Sequence, residues 1–284
     1  MSSSSPLVSV IVPTYFSSSL LGKCLLSIKN QTYKNIEIIV VDNYSKDNTK
    51  LISDKYGAKF FLAGPDQTKN RIFGAPFQRN FGFKKASGEY LYYVDADMEL
   101  PNGLIEECVG LMRDNGNCKA IIIAEESFGK GFWAKCKWLE RKSYRGDDTV
   151  EAPRFFKEDE LKEMGYLDDK IGADDWDLTL RMRKKNYEIL RTKNHIMHNE
   201  GNLKLSKLIK KRFLYGKDAW RFHKKHGGEN FIKYFQPFRK SYFKSWKLFL
   251  RHPILLAGMV FMRFCEYSGG GLGMLYGRFI MKKL

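Results

Sequence analysis

The chain has 284 residues, 43% hydrophobic and 14% aromatic, enough to bury the core of one large domain or of a domain with an appendage. Its five cysteines are odd in number and show no C-x-x-C spacing, which argues against a disulfide framework or a zinc site and predicts reduced thiols in a cytosolic compartment. The net charge of +17 is unevenly spread, with 31 Lys and Arg against 29 Asp and Glu in residues 1–205 and 18 against 3 in residues 206–284, so a boundary is expected near residue 205 and a polyanionic surface is expected to partner the tail.

Ser2 to Ser5 reads as a frayed end, and no apolar run follows the N-terminus, so no secretory leader is expected. Leu7 to Pro13 is a strand closed by its proline. Leu20, Leu21, Cys24, Leu25 and Ile28 recur at helical spacing, predicting a helix to about Asn30. Ile36 to Val41 is a second apolar strand and delivers Asp42 at its carboxyl end. Residues 42–49 are turn chemistry suited to capping the helix that carries Leu51, Ile52 and Tyr56. Lys59 to Leu62 is a third strand, Ala63 to Ala75 a long polar loop, and Pro76 starts a helix bearing Phe77, Arg79 and Phe81 that ends at Ser87-Gly88.

Glu89 to Met98 then reads as a buried strand running into two acids. If the extended geometry persists, Asp95 and Asp97 point the same way and can hold Mn²⁺ or Mg²⁺, which in turn can clamp a diphosphate. Pro101 opens a helix with Leu104, Ile105, Cys108, Val109 and Met112 on one face, and Ala120 to Ala124 is a further strand. Phe128 to Tyr144, aromatic and basic, reads either as a helix or as a mobile loop across the site. Thr149 to Phe156 reads as a strand, Lys157 to Met164 as a short helix, and Tyr187 to Arg191 and Ile196 to His198 as short closing strands. Asp174 and Asp175 sit at an expected helix N-terminus, where acids are favoured, and a second acid cluster of this kind also suits a general base.

Strands alternating with helices predict an α/β fold: a Rossmann-like, mostly parallel sheet flanked by helices, with ligands at the strands' carboxyl ends, where Asp42, Asp95 and Asp97 all lie. No G-x-G-x-x-G follows the first strand and no G-x-x-x-x-G-K-[ST] occurs, so neither a dinucleotide dehydrogenase nor a P-loop NTPase is supported.

Five pieces in order resemble the family-2 glycosyltransferases, which have the A-type glycosyltransferase fold: residues 8–15 (VSVIVPTY), residues 38–43 (IIVVDN) with Ser45, Asp47 and Thr49, Arg79-Asn-Phe-Gly82 with residues 86–90 (ASGEY), Asp95-Ala-Asp97, and Asp174-Asp-Trp-Asp-Leu178 followed by Arg181. They cover roughly residues 7 to 200. The resemblance implies that Pro13, Thr14 and Tyr15 line a nucleotide pocket with Asp42, which accepts a hydrogen bond from the base and suits uracil. It implies that Arg79 approaches the nucleotide or diphosphate, that Asp95 and Ala96 contact the nucleotide, that Asp97 binds Mn²⁺ or Mg²⁺ with Asp95 and His198 beside it, that Asp175 is the catalytic base, and that Asp174 and Trp176 stand on the acceptor side or just behind the reacting groups. The chain departs from the family pattern at Phe16, where Asn is common, at Asn43-Tyr44 in place of Asp-Gly, and at Asp174 in place of Glu.

From Leu205 the tail interleaves aromatic residues with Lys and Arg, with eight of the latter between Lys207 and Lys225 and rings from Phe213 to Phe249, Phe238 among them. That pattern suits an interfacial helix on an anionic bilayer. Pro253 to Met262 is the longest apolar run, too short to span a bilayer, and reads as monotopic or re-entrant. Gly269 to Gly271 is expected to separate it from a last piece, Leu272 to Met281.

Together these expectations describe a metal-dependent, inverting glycosyltransferase: a catalytic domain over residues 1–205, and over residues 206–284 a helical extension docked peripherally or monotopically on the cytoplasmic face of a membrane. The donor is a nucleoside-diphosphate sugar, UDP-linked by preference, and the acceptor a glycan or polyprenyl-linked sugar; nucleic acid is not an expected partner. The rivals are a nucleotidyltransferase, which releases pyrophosphate, and a non-enzymatic basic adaptor, which has no use for acids at strand ends.

Overall fold

The computed structural model describes residues 5–63, 74–171, 173–237 and 239–279; most of the expected polar loop after Ala63, and Gly172, Phe238 and residues 280–284, lie outside them. In chain order the elements are β1 (Val8–Thr14), α1 (Ser18–Lys29), β2 (Ile36–Asp42), α2 (Thr49–Lys55), β3 (Lys59–Leu62), α3 (Ala75–Phe83), β4 (Tyr90–Tyr93), β5 (Met98–Glu99), α4 (Leu104–Asp114), β6 (Cys118–Ile122) and β7 (Glu125–Lys130). They continue as α5 (Phe132–Ser143), β8 (Pro153–Lys157), α6 (Glu158–Glu163), α7 (Asp174–Lys184), β9 (Glu188–Arg191), β10 (Ile196–Asn202), α8 (Leu205–Phe235), α9 (Lys240–Lys244), α10 (Trp246–Arg251) and α11 (Pro253–Phe279).

The chain forms two compact units. The first comprises the described residues up to Ala124 together with Pro153–Asp169 and Leu178–Met197. Its seven-stranded sheet has the order β3-β2-β1-β4-β8-β6-β9. β1 pairs in parallel with β2, with Thr14 opposite Asp42, and with β4, with Ile11 opposite Tyr93. β8 runs antiparallel between β4 and β6. The strands are apolar on both faces because helices cover both. Val10, Val12, Val40 and Tyr92 pack with Leu21 and Leu25 of α1 and Leu104 of α4, while Ile11, Val41, Leu91 and Tyr93 pack on the other side with Phe83, Leu161 and Met182.

Several boundaries differ from the sequence expectation. Gly103 adopts φ 81°, so α4 begins at Leu104 and Pro101 stays in the connection; its five predicted core residues are all buried. The strand expected from Thr149 starts at Pro153, because the Asp147 carboxylate turns Thr149 back by accepting its amide (3.0 Å) and its hydroxyl (2.6 Å). Residues 128–144 finish β7 and then form α5.

The second unit comprises Glu125–Ala152, Lys170–Asp177 and His198 onward, so it takes in two segments that the charge asymmetry did not mark. α8 is broken at Gly227, with φ 81°, and α11 runs without interruption through Gly269, Gly270 and Gly271. The expected break there is therefore absent, and the reason is packing. α11 lies so close to α8 that a Cβ at Gly273 or Gly277 would strike the carbonyl oxygens of Phe213 or Lys217, and one at Gly269 would come within 2.9 Å of the Ile209 oxygen. The missing side chains let two backbones touch, which offsets the low helix propensity of glycine. Gly273→Ala should accordingly cost about 1–3 kcal/mol, as overpacking does, read as a lowered urea midpoint, whereas Gly271→Ala, with open space around it, should be neutral or slightly stabilising. Equal effects of the two would contradict this packing.

Candidate active site

At the carboxyl edge of the first unit's sheet, β1 and β2 end level at Thr14 and Asp42. The strand order reverses between β1 and β4, and such a switch point opens a crevice beyond the strand ends. Asp42 is 1% exposed, and its carboxylate accepts the Thr14 hydroxyl (2.9 Å), the Ser45 amide (2.6 Å) and the Ser45 hydroxyl (2.7 Å). Asp47 accepts the Ser18 amide at the start of α1 and both amide and hydroxyl of Thr49 at the start of α2. Burial would raise its pKa, but these donors outweigh that and hold it at about 2. The acids of residues 42–49 thus tie the loops after β1 and β2 together, a wider job than the expected capping of one helix. Pro13 is buried, and Tyr15 stands 46% exposed with its ring edge-on to Phe16 at 4.8 Å.

α3 is pinned across these strand ends. Buried Gln78 donates to the Thr14 carbonyl (2.8 Å) and the Val41 carbonyl (2.7 Å). Next in sequence, Arg79 donates to Asp95 Oδ1 (2.7 Å), and its guanidinium lies over the Tyr93 ring at 4.2 Å. Arg154, from β8, lies over the same ring at 5.1 Å, with Nη1 3.5 Å from Asp95 Oδ2. Asp95 is therefore bracketed by two guanidiniums. β4 ends at Tyr93, and a turn closed by the Met98 amide on the Asp95 carbonyl (3.0 Å) carries Asp95, Ala96 and Asp97. The extended geometry from which both carboxylates were expected to point the same way thus stops short of them.

Hard carboxylate oxygens fit Mn²⁺ or Mg²⁺, and the arrangement indicates which kind of site. Among the described residues no group of three or more His, Cys, Asp and Glu could hold a metal. Asp95 is already engaged by Arg79 and Arg154. A cation resting on one or two carboxylates and completing its shell with phosphate oxygens and water fits this donor set; an all-protein cage does not.

The other predicted residues lie in the second unit. The first turn of α7 carries Asp174, Asp175 and Asp177, where exposed backbone amides favour acids. Asp175 Oδ1 accepts the Trp176 amide at 2.8 Å. Trp176 donates its indole N–H to the Val150 carbonyl (3.1 Å) and packs against Tyr234 and Phe235. Asp177 is fully buried and pairs with Lys225 (2.8 Å) and His226 (2.6 Å) of α8, anchoring the turn that holds Asp174 and Asp175. His198, in β10, places Nδ1 2.8 Å from Glu125 Oε2, and Glu125 also pairs with Arg141. The pairing orients the imidazole through Nδ1. Burial would raise the pKa of nearby Glu200, but Arg141 and His198 overcome it and hold the carboxyl below its ordinary value.

Sequence reasoning missed Gln78, Arg154 and Asp177. Gln78 stands beside the Arg79 motif and Asp177 within the Asp174–Leu178 motif, where it was given no role of its own, and that placement was the available signal. Arg154 reaches Asp95 only because β8 inserts beside β4, which no local pattern reports.

The model of the family described as Glycosyl transferase family 2 matches residues 9–172. A GalNAc(5)-diNAcBac-PP-undecaprenol beta-1,3-glucosyltransferase of Campylobacter jejuni is 36% identical over 139 residues, covering 44% of this chain and 43% of that protein. The chain thus spans less than half the length of that relative. Among solved structures, the mannosyltransferase PcManGT from Pyrobaculum calidifontis, in complex with GDP-Man and Mn²⁺, superposes with a TM-score of 0.65 at 16% identity, covering 98% of this chain and 88% of that one. Staphylococcus aureus TarS 1-349 in complex with UDP-GlcNAc gives a TM-score of 0.53 at 16% identity, covering 96% and 91%. At such identities the likeness is one of fold: a mostly parallel sheet flanked by helices, with a C-terminal helical region.

Proposed function

The chain belongs to glycosyl transferase family 2, and from that premise we propose that it moves a sugar from a nucleoside-diphosphate sugar to an acceptor hydroxyl with inversion at the anomeric carbon. The observation that carries the reading is the carboxyl edge of β1, β2 and β4, where Thr14 holds Asp42, Gln78 pins α3 to the strand ends and Arg79 pairs with Asp95 beside one topological switch point. Three donors already converge on Asp42, and an ionised carboxylate accepts about four, so a base N–H such as that of uracil can add to them. Pro13, Thr14 and Tyr15 flank the base, and Asp95 and Ala96 face the ribose. Arg79 and Arg154 supply positive charge toward the diphosphate as it leaves.

Asp97 would hold Mn²⁺ or Mg²⁺, with Asp95 and His198 as further candidate ligands. When bound, the cation neutralises charge developing on the leaving diphosphate. Asp175 takes the acceptor proton as attack proceeds, with Asp174 and Trp176 on the acceptor side; one base without a protein nucleophile gives a single displacement. The Campylobacter relative, by its name, acts on an undecaprenol-linked glycan, and the basic tail suits an anionic membrane surface. Both support a glycan or polyprenyl-linked acceptor at the cytoplasmic face of a membrane.

Product analysis with UDP- and GDP-sugars, Mn²⁺ and a lipid-linked glycan acceptor tests the reading. Release of nucleoside diphosphate matched to sugar transfer is expected; release of pyrophosphate would make the chain a nucleotidyltransferase instead. Asp97→Asn should weaken Mn²⁺-dependent donor binding on the order of 10–100-fold and leave metal-free binding nearly unchanged; equal losses with and without Mn²⁺ would remove Asp97 from metal binding.

A further inference from the structure

We infer that α11 and the α9–α10 pair form a docking face that lies in the headgroup region of an anionic phospholipid bilayer, with the α11 axis parallel to the membrane. The inference stands on the second unit alone and does not depend on the donor chemistry.

α11 is amphipathic in the opposite sense to a helix on a soluble surface. Arg263 and Glu266 at its middle point into the protein, and Glu266 is 2% exposed; Arg278, in its last turn, is exposed. Its outward stripe is Ile254, Phe261, Phe264, Leu272, Leu275 and Phe279, all more than half exposed. These recur at helical spacing over a length of roughly 40 Å at 1.5 Å per residue. Between Ile254 and Tyr276 no exposed Asp, Glu, Lys or Arg interrupts the stripe. An apolar face of this length, in which Ser268 is the exposed polar residue between Phe264 and Leu272, marks an interaction surface.

The residues just before it supply the charge. α9 and α10 expose Phe243, Trp246 and Leu250 beside the exposed cations Lys240, Lys244, Lys247 and Arg251. Leu248 and Phe249 turn inward onto the cluster around Leu139 and Met259, so the outward rings are not needed for the core. Exposed rings flanked by lysines are what an interfacial helix uses: rings at the headgroup level and cations on lipid phosphate. No described helix is long and apolar enough to cross a membrane. The inner face of α11 is held against α8 by glycine contacts and against Lys137 and Arg212 by Glu266, so it lies on the bilayer with one face in it. A second copy of the chain fits this face less well, because a symmetric pair would bring the same lysine-rich rim against itself.

Flotation of the purified full-length chain with vesicles tests the inference. Binding to phosphatidylcholine vesicles containing phosphatidylglycerol is expected, with clear loss at high salt and weak binding to pure phosphatidylcholine. The double variant Phe264→Asp/Leu272→Asp should lower partitioning at least about tenfold, since it removes two apolar side chains from the buried face and puts two charges there. Circular dichroism reports whether it folds, and Ile254→Asp/Phe261→Asp is the second variant if it does not. Acyl chains carrying bromine should quench fluorescence in the wild type and less so in Trp246→Phe. Three results would overturn the inference: no flotation of the wild type, flotation indifferent to both double variants, or a sedimenting dimer that the same variants disperse. Retention of RNA without flotation would assign the basic face to nucleic acid instead.

Discussion

Asp175→Asn should lower the rate of sugar transfer by about 10²–10⁴-fold, the usual contribution of a general base, while nucleotide affinity stays nearly unchanged. In barrier terms this is roughly 3–5 kcal/mol at 1.36 kcal/mol per decade. The substitution suits the test because it is chemical and not architectural. Asparagine keeps a carbonyl oxygen for the Trp176 amide that Asp175 Oδ1 now accepts. The turn itself is fixed by Trp176 on the Val150 carbonyl and by Asp177 on Lys225 and His226. Folding and donor binding should therefore survive while proton acceptance is lost. Turnover close to that of the wild type would remove Asp175 from the role. A parallel loss of donor affinity would mean that the residue acts in binding.

Glu266→Ala should destabilise the second unit by about 3–5 kcal/mol, as removal of one member of a buried ion cluster does. Glu266 accepts Lys137 Nζ (3.1 Å) and Arg212 Nε (2.9 Å), and Arg263 Nη1 lies 3.5 Å away. Glu140, equally buried, takes Lys137 (2.5 Å) and Arg263 (2.7 Å). Two carboxylates thus face three cations, and loss of Glu266 leaves Lys137 and Arg263 sharing Glu140 alone. Burial would raise the pKa of Glu266, yet Lys137, Arg212 and Arg263 overcome it and hold the carboxyl well below the ordinary range. A depressed folded-state pKa stabilises above the unfolded value, about 4.3 for glutamate, and that stability drains away as pH falls below it. Urea melts of the wild type should therefore lose stability steadily below about pH 5, and Glu266→Gln should lack this component. A change within about 0.5 kcal/mol, typical of surface sites, would show that the cluster contributes little.

How far the sequence reaches depends on whether a residue's partner is local. β1, β2 and β4 are legible because apolar runs buried on two faces need no distant information, and their register brings Thr14 and Asp42 level. α1 and α4 are legible because their apolar residues repeat at helical spacing, and nine of their ten predicted core positions are buried, Leu20 being the exception. Asp42 and Asp95 follow from strands that end in acids. Arg154 does not, because its strand returns antiparallel beside β4 after a long excursion. Charged helices were the harder case. Lys137 and Glu140 look like the solvated side of α5 and become buried only once α8 and α11 pack on them. Glycines 269–271 look like a stop because propensity is local, whereas the α8 backbone that Gly269, Gly273 and Gly277 admit is not.

The most direct measurement is calorimetric binding of UDP and GDP to the purified chain, each with and without Mn²⁺. Tight binding of UDP that requires Mn²⁺ is the expected result, and loss of it in Asp97→Asn would place the cation at the acid after β4. Preference for GDP would keep the reaction and redirect the donor to GDP-sugars. Failure to bind either nucleotide, with or without metal, would contradict a donor site at the carboxyl edge of β1, β2 and β4.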